Sequence, residues 1–126
     1  MGVLYRINEP KQQSTVNASA FNIDFLMTSR GGNSFSTTGM IEGTVRIAVT
    51  HAGTTASLYV GEVVSAIVSG AVSSTQTLTM KTQSGTYTFT VAMSAQGNYL
   101  RFTITPPNAA AAKWLIRFDG TITDAA

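Results

Sequence analysis

Apolar residues recur at every second position along most of this chain, which is the period of a half-buried β-strand. Val3, Tyr5 and Ile7 share one parity and predict a short first strand. The pattern then lapses. Pro10 and the run Lys11-Gln12-Gln13 predict an extended arm or loop over residues 8–19. Phe21, Ile23, Phe25 and Met27 alternate with Asn22, Asp24 and Leu26, a strand with one apolar face. Gly31-Gly32-Asn33-Ser34 predicts a turn. Ile41, Gly43, Val45, Ile47 and Val49 form the next inward set, with Glu42, Thr44 and Arg46 outward, and His51-Ala52-Gly53-Thr54 closes it as a turn.

The following segment breaks the alternation. Leu58 and Val60 open it, and Val63, Val64, Ile67 and Val68 continue it on both parities. Such a strand is either covered on both faces or bent at Gly61 through a bulge. Leu78 and Met80 fall in a Thr-rich strand, and Gln83-Ser84-Gly85-Thr86 has the composition of a hairpin turn. Tyr87, Phe89, Val91 and Met93 alternate with polar or small residues, Gln96-Gly97-Asn98 marks a turn, and Leu100, Phe102 and Ile104 follow. Pro106-Pro107-Asn108 ends that strand, and Ala109 to Ala112 suits a single helical turn. The clearest strand is the last: Trp114, Ile116, Phe118, Gly120 and Ile122 face one way, and Leu115, Arg117, Asp119 and Thr121 the other.

About eight strands with turn signals at this spacing predict an all-β protein, an antiparallel β-sandwich of jelly-roll or Greek-key type. An immunoglobulin-like sandwich is the alternative, without its Cys…Trp…Cys signature. Residues 1–126 read as one domain, the arm at 8–19 being a candidate appendage.

Composition adds a surface to this picture. The chain is 44% hydrophobic but only 11% charged, and Ser and Thr make up roughly a quarter of it. Hydroxyls and amides therefore coat the strands in place of charges. The net charge is +2, and the eight Lys and Arg residues are scattered singly, so no basic run predicts nucleic-acid binding. The stretch from Ala56 to Val72 is too short and too polar to span a bilayer, so no membrane partner is expected. Met1 to Arg6 lacks the apolar region of a signal peptide, which predicts use outside a secretory pathway.

Catalytic chemistry finds little to work with. There is no cysteine, hence no disulfide, thiolate nucleophile or thiolate metal site. His51 is the single histidine and falls in a turn, where an exposed residue is expected. No Gly-x-Ser-x-Gly, Gly-x-Gly-x-x-Gly or Walker pattern occurs. A glycosidase needs two carboxylates across a cleft. Glu42 and Asp119 lie on outward parities, but so do Arg46 and Arg117, and cross-strand pairing of Glu42 with Arg117 or Asp119 with Arg46 is the plainer expectation. No enzyme activity, cofactor or metal is predicted. Tyr59 and Tyr99 flank inward positions and point outward in this reading, either as a sugar-binding patch or as lone surface tyrosines. Leu26, Val63, Val64 and Leu115 are apolar on faces that should be wet, which marks either a subunit interface or cover by a second sheet or loop.

The chain is rich in Ser, Thr, Ala and Gly, free of cysteine, poor in charge and nearly all strand, and it closes on Trp114-Leu115-Ile116-Arg117-Phe118-Asp119-Gly120-Thr121-Ile122. In these respects it resembles the small β-sandwich virion proteins of tailed bacteriophages, of the capsid-decoration or fibre-tip type. The resemblance implies a passive protein located in the virion and assembled in host cytoplasm. It implies a homo-oligomer, a trimer by preference, bound to other virion proteins such as a capsid lattice. The alternative it leaves is a receptor-binding or carbohydrate-binding module that meets a cell-surface glycan.

Overall fold

The computed structural model describes residues 3–26, 38–51, 55–68, 71–72, 76–85, 87–96 and 99–124. They form ten strands and no helix: β1 (Val3–Thr15), β2 (Phe21–Leu26), β3 (Thr38–His51), β4 (Thr55–Val68), β5 (Ala71–Val72), β6 (Gln76–Leu78), β7 (Lys81–Ser84), β8 (Thr90–Gln96), β9 (Tyr99–Thr105) and β10 (Ala112–Asp124). Two antiparallel sheets pack face to face as a β-sandwich, the predicted class. The larger sheet runs β1-β10-β3-β4-β5, with β7 also paired to β4, and the smaller runs β2-β9-β8-β6. The last strand thus lies between the first and the third, a Greek-key-like order.

Trp114, Ile116 and Phe118 alternate inward from β10 and are all buried. They reach the opposite sheet through two groups of rings. Phe118 lies 5.8 Å from Phe25 on β2 and 5.7 Å from Phe102 on β9, centroid to centroid. Trp114 lies 5.4 Å from Phe21, 5.7 Å from Tyr87 and 5.2 Å from Phe89. These are edge-on and tilted contacts, the geometry the ring quadrupoles favour. The indole N–H of Trp114 donates to Thr15 Oγ1 at 2.9 Å, so the polar end of the largest core residue is satisfied and ties β10 to the end of β1.

Gly43 and Gly120 stand opposite each other on β3 and β10. A Cβ on Gly43 would lie 2.5 Å from the Gly120 Cα, and one on Gly120 would lie 2.7 Å from Cζ of Phe118. The bare pair makes room for the Phe118 ring at the centre of the large sheet.

Several expectations are corrected here. Residues 8–15 are not a loose arm: they continue β1, each paired with β10 from Asn8↔Asp119 to Thr15↔Ala112. Their inward positions are Glu9, Lys11, Gln13 and Thr15, so the segment is held by the backbone ladder with little apolar burial, which is why periodicity missed it. Pro10 and Lys11 suit an edge strand, where they discourage further pairing. The strands on either side of the expected turn are not hairpin partners: β7 pairs with β4, while β8 pairs with β6 and β9, and Thr86 itself lies outside the described residues. Ala109 to Ala112 is not a helical turn. Asn108 Oδ1 accepts the Ala110 N–H at 3.0 Å, a local side-chain turn, and Ala112 already belongs to β10. The Gly31-Gly32-Asn33-Ser34 turn lies outside the described residues.

On the outer face of the small sheet, Asp24 and Arg101 are directly opposite and form a two-point pair, Nε to Oδ1 at 2.8 Å and Nη2 to Oδ2 at 3.0 Å. The hydrogen bonds from Arg101 hold the Asp24 carboxyl below the usual carboxylate range against a smaller opposing effect of burial, and the charges of Arg101 and Lys11 add to the lowering.

Thr15→Val keeps the shape of the side chain but strips the buried Trp114 N–H of its acceptor, and thermal denaturation should show a loss of about 1–3 kcal/mol. Asp24 is more acidic folded than unfolded, so its contribution is present above the unfolded aspartate pKa of about 3.9 and is lost as pH falls through the lower folded value. Asp24→Asn should therefore flatten the acid limb of the stability–pH curve below that pH while lowering stability modestly at neutral pH; an unchanged acid limb would show that the pair contributes nothing.

Candidate functional site

The outer face of the large sheet is set by register. On β3 the inward residues Ile41, Val45, Ile47 and Val49 are odd-numbered, and the pairing of β3 with β4 places odd residues opposite odd ones, as in Ile47↔Tyr59 and Gly43↔Val63. The inward set of β4 is therefore Ser57, Tyr59, Gly61 and Val63, and the outward set is Leu58, Val60, Glu62 and Val64.

This corrects two of the predicted site residues. Tyr59 is not a surface tyrosine: it is 5% exposed, and its hydroxyl donates to the Tyr87 carbonyl. Val63 is not on a wet face; it is fully buried. The inward pattern was disguised by its small members. Gly61 has no side chain because Met80 fills its place, with Sδ 2.6 Å from where a Cβ would be. Ser57 is buried against Gly85, whose φ of +79° suits glycine and whose absent Cβ would lie 2.1 Å from Ser57 Oγ. No bend at Gly61 interrupts the pairing of β4 with β3. Val64 and Leu115 are exposed as expected, at 62% and 45%, and Tyr99 is exposed on the outer face of the small sheet. The Leu26 side chain lies outside what is described.

The cross-strand rows of this outer face run from β10 through β3 to β4. The first apolar row is Leu115, Ala48 and Leu58. The next is Arg117, Arg46 and Val60, which Lys81 of β7 extends. Then come Asp119, Thr44 and Glu62, followed by Thr121, Glu42 and Val64. Leu58, Leu115 and Val64 are exposed large apolar residues, and Met40 joins them further along β3. A shallow depression of about 380 Å³ opens over Arg46, Leu58, Val60, Gln83, Leu115 and Arg117. A second, about 400 Å³, opens over Glu42, Glu62, Val64 and Asp119.

The predicted pairs of Glu42 with Arg117 and Asp119 with Arg46 do not form. Register places Arg117 opposite Arg46, Asp119 opposite Thr44 and Glu42 opposite Thr121. Arg117 is held instead by Asn8, whose Oδ1 accepts Nε–H at 2.9 Å and Nη2–H at 2.6 Å. Among the described residues the ion pairs are Lys11 with Glu9 and Arg101 with Asp24, neither on this part of the face. Two arginines directly opposite each other repel, and three carboxylates lie beside them without an ion-pair partner among the described residues.

The one histidine is elsewhere. His51 is half-buried rather than exposed; it stacks on Tyr87 at 4.2 Å and 20°, with Nε2 3.4 Å from Ser57 Oγ. A nucleophilic hydroxyl must meet its substrate, and Ser57 is sealed from solvent. The pair packs the end of the sandwich. Burial pushes the neighbouring Tyr87 phenol above its ordinary value, and proximity to Tyr59 pushes it further. Among the described residues no group of three or more His, Cys, Asp or Glu could hold a metal ion.

No family model, curated protein or solved structure matches this chain.

Proposed function

We propose that this chain is a non-enzymatic structural subunit of an assembled particle, a homo-oligomer of the kind that decorates or stabilises a phage capsid or forms a fibre head. The observation that carries the reading is the outer face of the large sheet. Exposed Leu58, Leu115, Val64 and Met40 are spread over one regular surface and interleaved with charges that lack ion-pair partners among the described residues. The row of Leu115, Ala48 and Leu58 forms an apolar strip across three strands, rimmed by polar residues, as a contact surface requires. The mixture of apolar and charged rows suits a protein partner, whose side chains can satisfy both. The phage setting rests on the resemblance in composition and closing strand, and the virion location follows from it.

A carbohydrate- or receptor-binding module is the second reading. Exposed Tyr99 favours it, standing on β9 of the small sheet next to the row of Asp24 and Arg101. A glycan array probed with wild type and Tyr99→Ala would support it by a signal that the variant loses; a blank array removes it.

Sedimentation velocity tests the first reading. The wild-type chain should self-associate as its concentration rises from micromolar towards millimolar. Leu58→Asp combined with Leu115→Asp should abolish that association. The same pair should shift stability by no more than about 0.5 kcal/mol per site, the usual range for surface changes. A wild-type chain that stays monomeric and shows no affinity for virion particles would contradict the reading.

A further inference from the structure

We infer that the outer face of the large sheet is self-complementary, and that a second copy of this chain docks on it about a two-fold axis running across the strands between the row of Arg117 and the row of Asp119. The inference rests on the proposed role in assembly and specifies its partner and geometry.

Strand register sets the charge pattern. On this face the basic row of Arg117, Arg46 and Lys81 lies next to the row that carries Asp119 and Glu62. A two-fold axis lying in the interface between these rows exchanges them. Arg117 of one copy then faces Asp119 of the other, and the symmetry makes the same contact twice. At the β4 end, Glu62 comes against Val60 and the Lys81 beside it. One row further out, Leu58 faces Val64 and Leu115 faces Thr121, so the exposed apolar residues of β4 cover each other. Glu42 comes over Ala48, within one row of Arg46.

Three other symmetric arrangements set like charges together. An axis along β3 brings Arg46 against its own copy and Asp119 against Glu62. An axis across the strands through either charged row brings Arg117 onto Arg117 or Asp119 onto Asp119. Each sets like charges together in a partly desolvated contact, which strongly disfavours it. The axis between the rows relieves what the single chain leaves unrelieved: two facing arginines and three carboxylates without ion-pair partners among the described residues. An isologous contact of this kind yields a pair and not a three-fold ring.

The pairing of 117 with 119 across the axis gives a test that a merely structural role would not pass. Arg117→Asp makes both facing positions acidic, and Asp119→Arg makes both basic. Each variant alone should self-associate about a hundredfold more weakly than wild type in sedimentation equilibrium, since two opposite-charge contacts become like-charge ones. Mixed together, the two variants should recover association as a heterodimer, visible by native mass spectrometry because their masses differ. The double variant carrying both changes should also pair with itself. Circular dichroism and thermal melting establish that each variant is folded; should Arg117→Asp fail to fold without its Asn8 contact, the mixture of Glu62→Lys with Lys81→Glu chains puts the same question at the other end of the row. A folded mixture that does not associate, or single variants that pair as well as wild type, would overturn the two-fold geometry while leaving self-assembly standing. A wild-type trimer would likewise overturn the geometry alone. A strictly monomeric wild type would overturn both.

Discussion

The position of Trp114 is the constraint on which the rest of this molecule depends. The indole is too large to be buried without meeting several elements, and its N–H cannot be buried without an acceptor. On β10 it meets Phe21 at the start of β2 and Tyr87 and Phe89 just before β8, while Thr15 at the end of β1 accepts its proton. Both sheets and the edge strand therefore converge on one side chain. Four residues further on, Phe118 does the same for β2 and β9, and it needs the bare Gly43–Gly120 pair to lie where it does. β10 can do this because it is long, is paired on both sides, and is apolar at every inward position from Ala112 to Gly120.

Fastening from the inside has a consequence for the outside. The outward residues of β3, β4 and β10 take little part in the core, so their identities are free of most packing demands. They nonetheless include exposed leucines and valine, and a row of basic groups set beside a row of acids. A surface selected only for solubility would intersperse its charges so that neighbours attract. Arg46 directly opposite Arg117 is the reverse of that. The outer face is thus the part of the molecule where the demands of the isolated chain and its sequence disagree, and such disagreement is where function is to be sought.

Much of this was legible in the residues alone. The sandwich class, the inward face of β10 and the exposure of Val64, Leu115 and Tyr99 follow from alternation, because large apolar side chains mark parity unambiguously. Parity was lost where inward positions are small or polar. On β4, Ser57 and Gly61 are inward because Gly85 and Met80 occupy the space, so alternation alone assigns the apolar Leu58 and Val60 to the core and Tyr59 to the surface. On β1, the inward Glu9, Lys11 and Gln13 carry no apolar signal at all. The charge rows were out of reach for a different reason. Parity tells which face a residue is on, but only the strand register tells which residue it stands beside, and register is a property of two distant segments. The Asp24–Arg101 pair, 77 residues apart, was hidden in the same way.

Native-state amide hydrogen exchange tests most directly whether β10 holds the structure together. Amides that open only with global unfolding exchange slowest, and those freed by local opening exchange sooner. If the two ring clusters on β10 join the sheets, the amides of residues 114–120 should exchange only with the whole molecule, at the free energy measured by denaturant unfolding, together with those of β9. If β10 instead exchanges in a lower-energy step, peeling away with β1 while β8 and β9 stay protected, the sheets are held by something other than Trp114 and Phe118.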